Sequence, residues 1–261
     1  MKIREITQQI EDFAPLKYQE SFDNSGIQVG DIDADVKGVL LCIDITEDVV
    51  NEAIEKGCNL IISHHPLIFR GIKKITPENY ISRTIIKAIE NQIVLYSSHT
   101  NMDKAPHGVN YHVATKLGIV VEKMLCSEKD NSDFGLGVVG ELQEEEDCIH
   151  FLKRVKTILN IGCIRHTDIP EGKKVKRIAL CGGSGNEFLP YAIRENADIY
   201  LTGDLKYHQF FETEKQIIMA DFGHFESEQF TKEIFYEIVS KNNANFAIYF
   251  SDSKTNPINY I

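Results

Sequence analysis

The sequence predicts an α/β protein that is built from two related halves. Short apolar stretches alternate with amphipathic stretches along the chain, and residues 36–44 resemble residues 175–183 at an offset of 139 positions. Strands that alternate with helices form mainly parallel sheets covered by helices. Self-similarity of this kind indicates duplication of a supersecondary unit. We therefore expect two duplicated α/β halves with mixed, largely parallel sheets.

The repeat extends from the first strand through a helix to further strands. Residues 59–63 align with residues 198–202 at the same offset of 139, and residues 92–96 resemble residues 216–220 at an offset of 124. The second copy is therefore 15 residues shorter before its last matching stretch. Two copies are too few for a solenoid, so the pattern favours two halves of one fold.

Apolar residues at helical spacing predict the helices that accompany these strands. Residues three and four apart share a helix face, and this spacing occurs within residues 3–13, 149–159 and 226–240. We place the first half at residues 1–125 and the second half at residues 126–261. The last helix is expected to pack back on the first half.

Composition and charge exclude several classes of function. The net charge of −11 argues against binding to nucleic acid or to an anionic membrane surface. No apolar run reaches the ~18 residues that a membrane span needs, and the N-terminus lacks the apolar core of a signal peptide. Six cysteines without a C-x-x-C pair are typical of reduced thiols. We expect a cytoplasmic protein.

An anionic substrate would need local positive charge in so acidic a chain. The sequence offers two sources of it. One is a site for metal ions, and the other is the basic cluster Arg70, Lys73 and Lys74.

An adjacent histidine pair, His64 and His65, follows the apolar strand predicted at residues 59–63 and precedes Pro66. In parallel sheets, ligands bind beyond the carboxyl ends of the strands. Two imidazoles at a strand end suit a metal better than a hydrophobic core, although a histidine pair satisfied within the interior is the alternative. The equivalent positions of the second copy are Gly203 and Asp204. One shared site is therefore expected rather than two independent sites.

Further ligand candidates lie at a spacing of four residues. His224 and Glu228 lie at the start of the last predicted helix, where residues four apart share a face. His99 and Asp103 have the same spacing, but Pro106 and the polar residues between them predict a loop. His64, His65, Asp103, His224 and Glu228 are too many ligands for one tetrahedral ion. They suit two ions that share a carboxylate.

The nitrogen and oxygen ligands do not select the metal, since Zn, Fe, Mn, Co and Ni all accept them. We expect two divalent metal ions per subunit. His99 is interpreted as a residue that orients a ligand through a hydrogen bond.

Two glycine-rich segments have simpler interpretations than nucleotide binding. Residues 135–140 match G-x-G-x-x-G, but the motif itself predicts a strand, whereas a dinucleotide site requires a strand before it and a helix after it. Residues 181–185 follow a predicted strand and precede a helix. They form either an anion site made of backbone N–H groups or a tight turn. Asp44 and Thr46 occupy the same place in the first copy and are interpreted as helix caps.

Six fragments together resemble the NIF-three-like family, whose bacterial members carry the name GTP cyclohydrolase 1 type 2. They cover nearly the whole chain in family order. The matching fragments are residues 24–30, 63–66, 99–103, 181–185, 201–204 with His208, and 223–228.

The resemblance implies two intertwined, duplicated halves without an inserted third domain, a dinuclear metal site, and a homohexamer that forms a toroid. It implies that His65 and Asp103 hold one ion, that His64 and His224 hold the other, and that Glu228 bridges them. Asp204, His208 and His99 become candidates for acid–base catalysis or substrate binding.

The implied reaction is hydrolysis of a small-molecule substrate, in which GTP and water give formate and 7,8-dihydroneopterin triphosphate. The alternative function is a metal-binding hexameric assembly or regulatory protein with little catalysis of its own. Both alternatives require the metal ligands, so the ligands do not discriminate between them.

Overall fold

The chain passes through two units, each built on one sheet, in the computed structural model, which describes residues 1–241 and 245–261. The first unit comprises Met1–Met102 and Thr231–Pro257, and the second comprises Asp103–Phe230 and Ile258–Ile261. The predicted α/β class is confirmed. The boundary that the sequence repeat places after residue 125 reflects duplication rather than compactness, and it stays a prediction.

Eleven strands are present in the described part of the chain. In chain order they are β1 (Gly26–Val29), β2 (Gly38–Cys42), β3 (Leu60–Ser63), β4 (Val94–Ser97), β5 (Ile119–Ser127), β6 (Gly135–Asp147), β7 (Arg165–His166), β8 (Lys174–Ser184), β9 (Ile199–Gly203), β10 (Ile218–Asp221) and β11 (Ala247–Phe250).

The α-helices of the same residues are α1 (Ile3–Phe13), α2 (Glu47–Glu55), α3 (Tyr80–Glu90), α4 (Thr100–Lys104), α5 (Val109–Lys116), α6 (Cys148–Ile158), α7 (Leu189–Arg194), α8 (His224–Glu228) and α9 (Thr231–Ser240). Short 3₁₀ helices cover Leu16–Tyr18, Asn186–Phe188 and Tyr207–Thr213. None of these helices, over residues 1–241 and 245–261, has the length and apolar character needed to cross a bilayer.

Each sheet contains three central parallel strands with antiparallel neighbours. The first sheet has the order β1-β4-β3-β2-β11, in which only β1 is antiparallel to its neighbour. The second has the order β5-β6-β8-β9-β10-β7, and β8, β9 and β10 are parallel. Strands β5, β6 and β7 pair antiparallel, so both sheets are mixed, as the sequence predicts.

The two parallel triplets share one register, which confirms the internal repeat. The residues that lie side by side across the strands are Val39, Leu60 and Val94 in the first unit, and Ile178, Ile199 and Ile218 in the second. The corresponding residues differ by 139, 139 and 124 positions, which are the offsets found in the sequence.

The strands are buried on both faces, which explains their continuous apolar sequences. Successive residues of a strand face opposite sides of the sheet. In β8, Ile178 and Leu180 accordingly belong to one hydrophobic cluster, whereas Ala179 and Cys181 belong to another. The motif at residues 135–140 lies within β6, so its prediction as a strand is also confirmed.

The single helix predicted over residues 226–240 is wrong, because the chain forms α8 and α9 in different units. Phe230 packs against the core of the second unit. Ile234 and Phe235 are buried in α9, which packs on α1 and β2 in the first unit. Apolar residues that serve two separate cores cannot form one continuous amphipathic face.

The loop predicted at residues 99–103 is also wrong, because Thr100–Lys104 forms the short helix α4. The polar residues that suggested a loop make specific contacts. Asn101 accepts a hydrogen bond from His99 N and donates one to Ala14 O at 2.7 Å.

A buried carboxylate, Glu52 of α2, fastens the segment after β11 within the first unit. It accepts hydrogen bonds from Ser251 Oγ (2.6 Å), Ser253 Oγ (2.8 Å) and the amide of Asp252 (2.9 Å), and from Lys56 Nζ at 2.7 Å. Burial alone would raise the pKa of Glu52, but these donors outweigh it and lower the pKa from 4.5 to about 2.

Replacing Glu52 with Gln is expected to lower the free energy of unfolding at neutral pH by about 1–2 kcal/mol, because charge-assisted hydrogen bonds are lost. The folded pKa lies below the unfolded one, so this stabilisation is complete above about pH 4.5 and disappears as the pH falls toward 2. Urea unfolding of both proteins at pH 7 and pH 3 measures the difference. A difference that stays constant between the two pH values would contradict the prediction.

Candidate metal centre

Three imidazoles meet at the carboxyl ends of two neighbouring strands of the first unit. His64 and His65 follow β3 directly, and His99 lies two residues after β4. The ring centroids are 4.9 to 5.4 Å apart. One nitrogen of each ring lies within 4.8 Å of the other two. The structure therefore brings together the histidine pair and the third histidine that the sequence suggested.

A backbone carbonyl fixes the tautomer of His64, which is buried. The Nδ1 atom of His64 lies 3.1 Å from the carbonyl oxygen of Ser98. A carbonyl oxygen only accepts, so Nδ1 carries the proton. The neutral ring therefore has its lone pair on Nε2, which is the state that a metal ligand requires.

Carboxylates orient the other two imidazoles in the same way. His65 Nδ1 lies 2.7 Å from Asp44 Oδ1, and His99 Nδ1 lies 2.8 Å from Asp23 Oδ1. Burial raises the pKa of both carboxyls, but the contact with histidine outweighs it and holds each pKa below its usual value. Both carboxylates therefore stay charged beside their imidazoles.

Sequence reasoning missed the functions of Asp23 and Asp44. Asp44 was predicted to cap a helix together with Thr46, but only Thr46 caps α2, through its contact with Val49 N at 3.3 Å. The available signal was position, since Asp44 follows β2, the neighbour of β3. Asp23 precedes β1 and gave no comparable signal.

The second unit contains a cluster made mainly of carboxylates. His224 Nε2 lies 3.1 Å from Glu228 Oε2 on α8, and His224 Nδ1 lies 2.7 Å from Asp204 Oδ2. A carboxylate oxygen of Asp103 lies within 4.8 Å of one of Glu228. Burial lowers the pKa of His224, but Glu228 and Asp204 outweigh it and raise the pKa to about 11. The pair spaced by four residues thus shares a helix face, as predicted.

A buried thiol beside this cluster stays protonated. Burial raises the pKa of Cys181 well above its usual value, and the charges of Asp103 and Glu228 raise it further. A protonated thiol is a poor metal ligand. The donors of the second cluster are therefore nitrogen and oxygen, in agreement with the sequence prediction.

The glycine-rich turn at residues 181–185 is not an anion site, because its N–H groups already donate to side chains. Gly182 N donates to Asn110 Oδ1 (2.7 Å), Gly183 N to Ser227 Oγ (2.9 Å) and Gly185 N to Thr202 Oγ1 (2.9 Å). Of the two interpretations, the structure favours the tight turn.

Gly183 leaves the space that the Glu228 carboxylate occupies. Its φ of +63° favours glycine, and a Cβ atom at this position would overlap Glu228 Oε1. The glycine is thus required both by its backbone conformation and by the neighbouring carboxylate. A carboxylate held against a backbone in this way has few alternative positions.

A cavity of about 310 Å³ in the second unit is lined in part by His224, Asp204, Arg165 and Tyr260. Asp221 stabilises its wall, because its carboxylate pairs with Arg165 and accepts hydrogen bonds from the amides of Leu205 and Gly223. This volume suits a small molecule.

His208 lies apart from the carboxylate cluster. It is exposed on the 3₁₀ helix Tyr207–Thr213, and its ring contacts Tyr207 and Phe211 with centroids 5.1 and 6.3 Å away. Of the two candidates near Thr202, only Asp204 contacts a predicted metal ligand.

Comparison with known proteins agrees with these fragments. The family model described as Duf34/NIF3 (NGG1p interacting factor 3) matches residues 1–257. A protein of Clostridium acetobutylicum named GTP cyclohydrolase 1 type 2 homolog is 38% identical over 230 residues, which cover 87% of this chain and 85% of that protein. A Campylobacter jejuni protein of the same name is 40% identical over 232 residues, covering 88% of each.

Solved structures with the same fold cover the whole chain. A hypothetical protein of Staphylococcus aureus has a TM-score of 0.90 at 30% identity, with 100% of this chain and 99% of that chain covered. A Bacillus cereus protein described as related to NIF3 has a TM-score of 0.87 at 24% identity over the same fractions. The family model and the relatives above 30% identity together show that this chain belongs to the Duf34/NIF3 family.

Proposed function

We propose that the chain is a dinuclear-metal-dependent hydrolase, similar to GTP cyclohydrolase 1 type 2. One observation carries the proposal. Four histidines, which are His64, His65, His99 and His224, each have Nδ1 within hydrogen-bond distance of a carbonyl or carboxylate oxygen. Metal-binding histidines almost always have such a partner, which fixes the ring and leaves Nε2 for the ion. Four in one chain exceed what packing requires.

The proposed ligands are His65 and Asp103 for one ion and His64 and His224 for the other, with Glu228 shared. This assignment follows the family resemblance. It is supported by the chemistry of the donors, since imidazole nitrogen and carboxylate oxygen both bind divalent transition metals. The protonation of His224 in the absence of an ion also fits, because a cation already occupies the place beside Glu228.

The remaining groups have distinct proposed functions. When bound, two divalent ions would activate water at neutral pH and stabilise developing negative charge. His99, held by Asp23, is proposed to move a proton during attack on the C8 carbon of GTP. Asp204 is proposed to position His224 rather than to transfer protons, because its carboxylate is occupied by that ring. His208 remains a candidate for substrate binding.

The proposed reaction takes GTP and one water to formate and 7,8-dihydroneopterin triphosphate. The names of the relatives support this substrate. A homohexamer and a cytoplasmic location remain predictions from the sequence, and sedimentation velocity tests the first of them.

A second candidate function is a metal-binding assembly or regulatory protein with little catalysis of its own. The family description favours it, since that description names an interaction rather than a reaction. Formate release from GTP by the metal-loaded protein separates the two candidates. Metal binding without turnover above the uncatalysed rate would favour the second.

Replacing His65 with Ala is expected to remove about one ion per subunit and to abolish formate release, because one ligand and its Asp44 partner are uncoupled. Elemental analysis and a formate assay measure the two effects. His150→Ala, at an exposed histidine on α6, is the matched control. Metal loss with full activity would contradict the proposed hydrolase.

Replacing His99 with Ala is expected to leave two ions per subunit but to lower turnover about 100-fold, which is typical of a lost proton-transfer group. The same two measurements apply. The loss of an ion in this variant would instead identify His99 as a ligand and remove it from the proton-transfer step.

Replacing Gly183 with Ala is expected to displace the Glu228 carboxylate and to reduce the metal content. Gly57→Ala is the matched control, since Gly57 has a similar φ of +68° and nothing within 4 Å of an added Cβ atom. Both variants strain the backbone by roughly 1–2 kcal/mol. Equal metal content in the two variants would show that Glu228 does not depend on Gly183.

A further inference from the structure

An unusual clasp holds the start of the loop that follows the histidine pair. Both backbone groups of Ile68 are bound by side-chain amides, since Gln28 Oε1 accepts from Ile68 N at 3.1 Å and Asn24 Nδ2 donates to Ile68 O at 2.6 Å. Gln28 Nε2 also donates to Asn24 O at 2.6 Å. The segment at residues 24–30 therefore fixes the backbone immediately before Phe69.

Two exposed aromatic rings border the imidazole cluster at this point. Phe22 is 61% exposed and Phe69 is 42% exposed, and their centroids are 6.2 Å apart with an interplanar angle of 61°. The ring of Phe69 lies 6.0 Å from that of His99. Large aromatic side chains are normally buried, so two exposed ones beside a cluster of titratable groups indicate a binding surface.

The same loop carries uncommitted positive charge. Arg70, Lys73 and Lys74 are exposed and form no ion pair with another residue in the described ranges. Within residues 66–79, Glu78 is the one acidic residue. In a chain with a net charge of −11, three adjacent cations without partners favour an anionic ligand.

We propose that Phe22 and Phe69 stack on the base of a nucleoside triphosphate and that Arg70, Lys73 and Lys74 bind its phosphates. A planar ring joined to a polyanion matches both features, whereas contact with a second copy of this acidic chain would explain the aromatic rings but not the cations. Asn24 and Gln28 are positioning residues that act through Phe69. This inference rests on the proposed function, because it assigns the residues that recognise the substrate of that site.

Equilibrium dialysis with three probes separates the two parts of the surface. The probes are GTP, guanosine, which lacks phosphates, and inorganic triphosphate, which lacks the base. Phe69→Leu is expected to weaken GTP and guanosine about fivefold or more, since stacking on an aromatic ring is lost, and to leave triphosphate unchanged. Asn24→Ala is expected to give the same pattern.

The double variant Lys73→Gln/Lys74→Gln is expected to weaken GTP and triphosphate about tenfold through loss of two exposed ion pairs, and to leave guanosine unchanged. The matched control is Lys153→Gln/Lys156→Gln, which removes two exposed lysines from α6. Metal content should be the same in all variants, because none of these residues is a proposed ligand.

The inference and the proposed function fail separately. Probe binding with the predicted selectivity but no formate release would sink the hydrolase and keep the nucleotide surface. Formate release with unchanged GTP affinity in all three variants would overturn the surface and keep the hydrolase. A change in sedimentation coefficient without a change in probe binding would also overturn it, since the aromatic rings would then contact another copy of the chain.

Discussion

Parallel pairing of three central strands, present once in each unit, is the constraint on which both candidate clusters depend. Parallel strands end at the same edge of a sheet, so the residues after them are collected there. In the first unit this edge receives Asp44 after β2 and His64 and His65 after β3. In the second it receives Asp204 after β9 and His224 after β10. The shared register makes the two edges equivalent, although their side chains differ.

Features with a local or periodic signal could be predicted from the sequence. The apolar strands, their duplication and the histidine pair after β3 were all apparent, because burial on both faces imposes continuous apolar sequences. The oxygens that hold the histidines were not apparent. Asp23 and the carbonyl of Ser98 are brought to their imidazoles by tertiary pairing of β1 and β4, and no spacing rule connects residues 76 positions apart.

Errors arose where tertiary contacts overrode a local pattern. The polar sequence after His99 resembled a loop, but buried Asn101 and its partners stabilise a helix. The apolar residues after Glu228 resembled one helix, but they divide between two cores. The turn at residues 181–185 offered free N–H groups in the sequence, yet side chains from distant elements accept all three that could have bound an anion. Propensity is a weak prior wherever such contacts decide the outcome.

The duplicated frame also explains how two equivalent edges acquired different chemistry. Asp44 and Gly183 are equivalent positions, 139 residues apart, as are His65 and Asp204. In the first copy the side chain of Asp44 orients His65. In the second copy no side chain can occupy the equivalent position, because Glu228 lies where a Cβ atom of Gly183 would be. The carboxylate that the strand end lost is thus replaced by one from α8, four residues after the histidine that Asp204 orients. An edge that presents imidazoles and an edge that presents carboxylates can therefore arise from one supersecondary unit.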